Sequence, residues 1–390
     1  MKATAIEPRL LHGLAELEFT DHGVQLHRLP AWVRHQFPDR QLLAMESQPS
    51  GARLVLRTTA RTVELTTQAT RMAYRGAVRP RGCLDIFVNG DFRSRDVLDG
   101  GDVVEIDLET GDVTSMTGPA HTTVVTGLPP GENRVEIWLP HNESVALLEL
   151  RADGPVAEDV AASPTWVHHG SSISQGSNAT APSETWPATA ARRGNVAIRN
   201  LGFGGSALVD PFMARVIRDT PADYLSVKFG INVVNLDAMH LRAFVPAVHG
   251  FLDTIRDGHP ETPIVVISPV FCGIHENTPG PAAIDTSTVG TGQVQFIATG
   301  RPEDRAHGRL TLEVIRRELQ SLIQRRGDDR NLHYLDGTTL FGPADAVELP
   351  LPDGLHPNAA AHLRIGERFA EYAFAVDGPF RPAGADHRRA

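Results

Sequence analysis

An antiparallel β-sandwich followed by a doubly wound α/β domain with a mostly parallel five-stranded sheet is the fold that the 390-residue sequence predicts. Three observations carry this reading. Residues 52–152 show short runs of period-two alternation separated by turn residues. Beyond residue 163, strand-like and helix-like segments alternate five times, the pattern of parallel strands joined by crossover helices. Between them lies a polar, proline-containing stretch, Gly154 to Pro164. At about 150 residues per domain the length allows two or three domains. The change of pattern sets a sandwich at 1–155 and an α/β domain at 163–380.

In the first half the alternating runs are Arg53–Arg57, Thr62–Thr66, Cys83–Val88, Val103–Leu108, Arg134–Leu139 and Val145–Leu150. Period two puts Leu54 and Leu56, or Val135, Ile137 and Leu139, on one face of a strand. Asn89-Gly90, Asp99-Gly-Gly-Asp102 and Pro129-Pro-Gly131 supply the turns. In the second half, Thr165–His168 precedes a helix beginning near Ser183, and Asn195–Arg199 precedes one from about Ser206. Tyr224–Phe229 leads to a helix over His240–Asp257, where Phe244, Val248, Phe251, Leu252 and Ile255 keep helical spacing. Pro263–Ser268 with a helix over Leu310–Arg325, and Leu332–Leu335 with a helix from Asn358, complete the series. The stretch 273–307 lacks clear periodicity and is rich in Gly, Pro and Thr, so it is a candidate lid, substrate wall or surface insertion.

The charge balance narrows the function classes. The net charge is −10, and neither half is basic, which argues against nucleic acid or an anionic membrane surface as partner. Lys2 and Lys228 are the only lysines among 37 basic residues, a bias read first as genomic codon usage. The longest nearly apolar stretch, Pro263–Ile274, falls well short of the ~20 residues that span a bilayer. The N-terminal ten residues carry Lys2, Glu7 and Arg9 where a secretory signal would have an unbroken apolar core. Cys83 and Cys272 form neither a metal spacing nor a disulfide framework. Together these predict a cytoplasmic protein.

Ligands in open α/β sheets bind beyond the carboxyl ends of the strands. The segments there are His169-Gly-Ser-Ser-Ile-Ser-Gln-Gly176, Asn200-Leu-Gly-Phe-Gly-Gly-Ser206, Phe229-Gly-Ile-Asn232 and, near the C-terminus, Asp353-Gly-Leu-His-Pro-Asn358. In this order the four blocks resemble those of the SGNH, or GDSL-type, serine hydrolase superfamily. The resemblance spans roughly residues 163–375 and implies a flavodoxin-like catalytic domain. It makes Ser172 the nucleophile, Asp353 and His356 its partners, and Gly205 and Asn232 members of an oxyanion hole with Ser172. Chemistry supports the same roles. A serine hydroxyl is a weak nucleophile without an adjacent base, and that base needs a third group to orient it. The tetrahedral intermediate needs donors aimed at its oxyanion, here the backbone N–H groups of Ser172 and Gly205 and the Asn232 amide. No cofactor or metal is required.

Two positions depart from the family pattern: Ser171 and Val233 stand where aspartates are usual. Neither belongs to the triad, so activity is expected to be retained. His168, His169, His275 and Glu276 lack metal spacing and are read as structural or solvated, and His275 and Glu276, following the fourth strand, are also candidates for lining a substrate pocket. A sandwich preceding such a domain resembles a two-domain bacterial subgroup that includes esterases and a salicylyl acyltransferase of tetracycline-type antibiotic tailoring. The implied partners are a small-molecule ester or thioester donor and either water or a hydroxyl acceptor. The alternatives are a carbohydrate O-deacetylase and a carbohydrate-binding protein with a decayed hydrolase domain.

Overall fold

In the computed structural model the described residues are 1–75, 79–107, 110–161, 163–288, 291 and 294–380. The chain forms two compact units: Met1–Ala162 with Ala179–Ser183 and Asp285–Val294, and Ser163–Asn178 with Glu184–Ile284 and Gln295–Ala390.

The first unit is a sandwich of two sheets. In one, strands Val113–Met116, Asp102–Ile106, Thr62–Tyr74, Ser144–Ala152, Gly23–His27 and Glu16–Thr20 lie side by side, with Lys2–Thr4 and His121–Thr126 attached. The other runs Val156–Ala157, Arg53–Thr58, Asn133–Trp138, Cys83–Val88 and Asp91–Val97, with Leu11–His12 on Arg53–Thr58. All six predicted runs are strands, although Leu108 at the end of one lies outside the described residues. Alternation does what period two requires: along His121–Thr126 burial and exposure strictly alternate. The inward residues, among them Leu54, Leu56, Leu65, Leu84, Val135 and Leu147, form one fully buried apolar core. One pairing departs from the antiparallel expectation, since Thr62–Tyr74 and Asp102–Ile106 run parallel. Between them the chain crosses to the other sheet to form the 83–97 hairpin, which supplies the long connection a parallel pair needs.

The excursion Ala179–Ser183 has a polar anchor. Asp85 is fully buried in the sandwich and accepts from Arg95 Nε at 2.7 Å and from Ser183 Oγ at 2.6 Å. A buried carboxylate without such partners would be strongly unfavourable.

The main sheet of the second unit has five strands among the described residues: β1 (Thr165–Gly170), β2 (Ala197–Gly202), β3 (Tyr224–Lys228), β4 (Ile264–Ile267) and β5 (Leu332–Leu335). Their spatial order is β2-β1-β3-β4-β5, every neighbour parallel. The order reverses between β1 and β3, which marks the ligand crevice of such sheets. Alternate side chains of β1 identify what covers each face. Trp166 stacks on Phe369 of helix Ala359–Ala373 and lies near Trp186 of helix Trp186–Arg193, whereas His169 stacks on Phe251 of helix Leu241–Gly258. Two predicted helix starts move. The first helix begins at Trp186 because Thr185 caps it, its side chain accepting from Ala188 N. The second begins at Pro211 rather than near Ser206, because Gly204 and Gly205 form a turn and proline suits the first helical position. The 273–307 stretch contains an antiparallel ribbon of Ala282–Ile284 and Phe296–Ala298.

Candidate active site

Ser172 opens a one-turn helix, Ser172–Gln175, directly after β1. Buried polar groups stitch that turn to the end of β2. Asn200 Nδ2 donates to Ser174 O at 2.8 Å, and Gln175 Oε1 accepts from Gly204 N at 2.8 Å. A Cβ at Gly202 would lie only 2.6 Å from Gln175 N, so glycine is what lets the helix sit this close to the strand. From beneath, the ring of His168 bonds the hydroxyls of Ser174 and Ser226 at 2.8 and 2.7 Å. In the sequence, Asn200 and Gln175 stand out only as members of strand-end segments. Polar side chains flanking small residues at a strand end were the signal that could have singled them out.

The 353–356 loop meets Ser172 from the other side of the crevice. Ser172 Oγ lies 2.9 Å from His356 Nε2, and His356 Nδ1 lies 2.7 Å from Asp353 Oδ2. The second carboxylate oxygen accepts from the backbone N–H groups of Leu355 (2.9 Å) and His356 (2.7 Å). Burial pushes the Asp353 carboxyl up, but the His356 hydrogen bond and charge and these backbone donors outweigh it and hold the group below the ordinary carboxylate value. An ionised carboxylate only accepts, so His356 Nδ1 carries the proton and neutral Nε2 faces the serine as an acceptor. The arrangement can therefore take a proton from Ser172 Oγ.

Gly205 and Asn232 line one cavity of about 230 Å³ together with Leu236, Ala283, Ile284 and Phe296. Gly205 sits in the turn after β2 with φ +73°, a conformation that disfavours side chains. Asn232 is in the short helix Ile231–Asn235 after β3, and its Oδ1 accepts from Ala207 N at 3.2 Å. That bond commits the carbonyl end of the amide and leaves its –NH₂ end as the donor. Thus the strand ends of β2, β1 and β3 present Gly205, Ser172 and Asn232 in adjacent positions.

The remaining candidates lie elsewhere. His275 is fully buried, its Nδ1 donating to Thr278 O at 3.1 Å, and Glu276 accepts from Cys272 N at 3.0 Å while pairing with Arg316. Their backbone carbonyls accept from Leu312 and Glu313 at the start of helix Leu312–Arg325. These contacts fix a loop to a helix, and neither residue is among those lining the cavity beside Gly205 and Asn232. His168 and His169 are buried, and desolvation pushes both rings towards the neutral form, His169 to about 4. Among the described residues no group of three or more His, Cys, Asp or Glu is arranged to hold a metal ion, and no helix is long and apolar enough to cross a membrane.

Comparison with known proteins places this geometry. Residues 169–364 match the model of the GDSL-like lipase/acylhydrolase family, and residues 10–148 match that of the SsfX3 N-terminal domain. The curated proteins yield no match. Among solved structures, the salicylyl-acyltransferase SsfX3 from a tetracycline biosynthetic pathway is 26% identical, with 94% of this chain and 95% of that chain covered and a TM-score of 0.75. A Bacteroides ovatus protein described as a GDSL-like lipase is 19% identical, with 94% of each chain covered and a TM-score of 0.65. A family two carbohydrate esterase from Clostridium thermocellum, solved with cellohexaose, is 14% identical, with 92% of this chain and 97% of that chain covered and a TM-score of 0.57. The last two likenesses establish the shared fold. With its blocks in order and its site at the strand ends, the chain belongs to the GDSL-like lipase/acylhydrolase family.

Proposed function

We propose that this protein transfers acyl groups through an acyl-Ser172 intermediate, acting as an acyltransferase or esterase on small to medium-sized esters or thioesters. The observation that carries the reading is the unbroken relay from Ser172 Oγ through His356 to Asp353, at 2.9 and 2.7 Å. Ser172 Oγ attacks the acyl carbonyl as its proton passes to His356 Nε2, and Asp353 stabilises the resulting imidazolium. The carbonyl oxygen, now negative, takes hydrogen bonds from the N–H groups of Ser172 and Gly205 and from Asn232 Nδ2. Collapse expels the alcohol or thiol, which leaves with the proton from His356. Water or an acceptor hydroxyl then gives its proton to His356 as its oxygen attacks the acyl-serine, and the acyl–Oγ bond breaks as His356 returns that proton to Ser172 Oγ. The cavity beside Gly205 and Asn232 receives the acyl portion.

The likeness to SsfX3 along nearly the whole chain supports transfer to a hydroxyl acceptor, as in secondary-metabolite tailoring. Residues 1–155 form an accessory domain in this reading, and 163–380 carry the chemistry. A serine-reactive phosphonate, with the adduct located by mass spectrometry, tests the mechanism: labelling at Ser172 is expected, and folded protein left unlabelled there overturns it. Supplying an acyl thioester with and without a panel of hydroxyl acceptors separates the two outcomes. Ester product is expected, and free acid alone throughout the panel would favour the esterase.

A further inference from the structure

We propose that Phe296 both limits the size of the acyl group and positions His356, so that the wall of the acyl cavity and the support of the general base are one side chain. The inference rests on the acyl-Ser172 reading and goes beyond it by naming the determinant and the class of acyl group. Phe296 lines the cavity. Its ring also meets the His356 ring at 5.8 Å between centroids and 77° between planes, an edge-to-face contact. Its backbone N–H donates to Asp353 O at 2.9 Å, and the neighbouring Gln295 side chain donates to Pro352 O at 2.7 Å. Both catalytic-loop residues are thus held through the Phe296 strand.

The other strand of the ribbon ties the same element to the oxyanion side. Ile284 pairs with Phe296 and Ala283 with Ile297, and Ala282, Ala283 and Ile284 form the far wall of the cavity. At the ribbon base Gly280 packs onto the helix that carries Asn232. A Cβ there would stand 1.7 Å from Val234 O, so only glycine permits the approach. Thr299 N and Oγ1 both donate to Pro281 O, at 2.9 and 2.8 Å, which closes the base. The ribbon therefore bridges the Asn232 helix and the 353–356 loop, and its residues 282–284 and Phe296 line the open cavity beside Asn232. Among the described residues no charged side chain lines that cavity. The acyl group it takes is compact and uncharged, since a carboxylate or ammonium buried there would find no counter-charge.

Three variants test this with p-nitrophenyl acetate, butyrate, hexanoate and benzoate, alongside phosphonate labelling of Ser172. Phe296→Ala should raise the hexanoate-to-acetate ratio of kcat/KM by about tenfold or more, because space is gained where the ring ended. The same variant should lower kcat for acetate by roughly tenfold to a hundredfold at nearly constant KM, because His356 loses its support. Phe296→Leu should show both effects in the same direction, weakened, and decides the matter if the alanine variant does not fold. Ile284→Phe, filling the cavity from the strand paired with Phe296, should lower the hexanoate-to-acetate and benzoate-to-acetate ratios of kcat/KM by about tenfold. If wild-type protein neither hydrolyses any ester nor labels at Ser172, the underlying reading fails. If wild-type protein is active, and the Phe296 variants shift chain-length preference without lowering acetate kcat, or the reverse, the proposed double role is overturned.

Discussion

Two regions converge on Ser172, and they use histidine in opposite ways. In the 353–356 loop, His356 has a carboxylate on one ring nitrogen and the serine hydroxyl on the other. Beneath the Ser172 turn, His168 has two hydroxyls, His169 a backbone carbonyl, and His362 the Trp186 N–H and the Ser177 carbonyl. The second group is completely buried, and desolvation holds His169 and His362 at about 4. The difference teaches that proximity to a nucleophile does not make a histidine a base. A charged partner that stabilises the imidazolium does, whereas burial with neutral partners makes a rigid strut.

Replacing residues in the loop should strike activity alone. Ser172→Ala and His356→Ala should each lower p-nitrophenyl acetate turnover by about 10⁶-fold with the thermal transition nearly unchanged, and Asp353→Asn by about 10⁴-fold. Activity retained in any of them would dissolve the distinction between the two regions. Asn232→Ala, which removes one oxyanion donor, should cost about 10²- to 10³-fold in kcat, read from the same assay. The strut region should behave in reverse. His168→Leu leaves the Ser174 and Ser226 hydroxyls short of a partner and should cost about 1–3 kcal/mol in denaturant unfolding, with kcat within about tenfold of wild type. A large kcat loss at intact stability would instead bring His168 into the chemistry.

A further effect concerns pH. His169 and His362 bind a proton less well folded than unfolded, with values of about 4 against an ordinary 6.5. Their contribution to stability is therefore fully present above 6.5 and is lost as the pH falls from 6.5 towards 4, on the order of 3 kcal/mol each at the lower end. Thermal unfolding across this window should show the decline, and His362→Gln should flatten its slope. Asp353, held below the ordinary carboxylate value, loses its contribution as the pH falls through its lowered value instead. An unchanged slope in the His362 variant would mean that ring is not a neutral strut.

Much of the fold was legible because each half obeys a simple period. Alternation along Thr62–Thr66 or Arg134–Leu139 predicts strands whatever they pair with, and all of these are strands. The parallel pairing of Thr62–Tyr74 with Asp102–Ile106 was not legible, because residues far apart in sequence decide which strands become neighbours. The same limit applied at the site. The blocks around Ser172, Gly205, Asn232, Asp353 and His356 stand out as short segments at strand ends. Phe296 and Gln295 lie in an aperiodic stretch, and nothing local says that their strand would meet Asp353 and Pro352. For His275 and Glu276 a position after the fourth strand left a pocket-lining or a structural role open, and only the fold shows their side chains bonded to Thr278 O and to Arg316.

By itself, the sequence determined the two-part architecture, the helix and strand periods and the identities of the groups able to do acyl chemistry. These follow from local rules: side-chain spacing, turn residues, and the need of a serine for a base and of that base for a carboxylate. Only the tertiary structure decided the partner of each ring: a serine hydroxyl and a carboxylate for His356, hydroxyls and backbone groups for His168, His169 and His362. It also decided that a ribbon from an apparently featureless loop walls the cavity beside Gly205 and Asn232. Packing contacts between segments remote in sequence, such as Gly280 against Val234 O, leave no periodic trace in the chain.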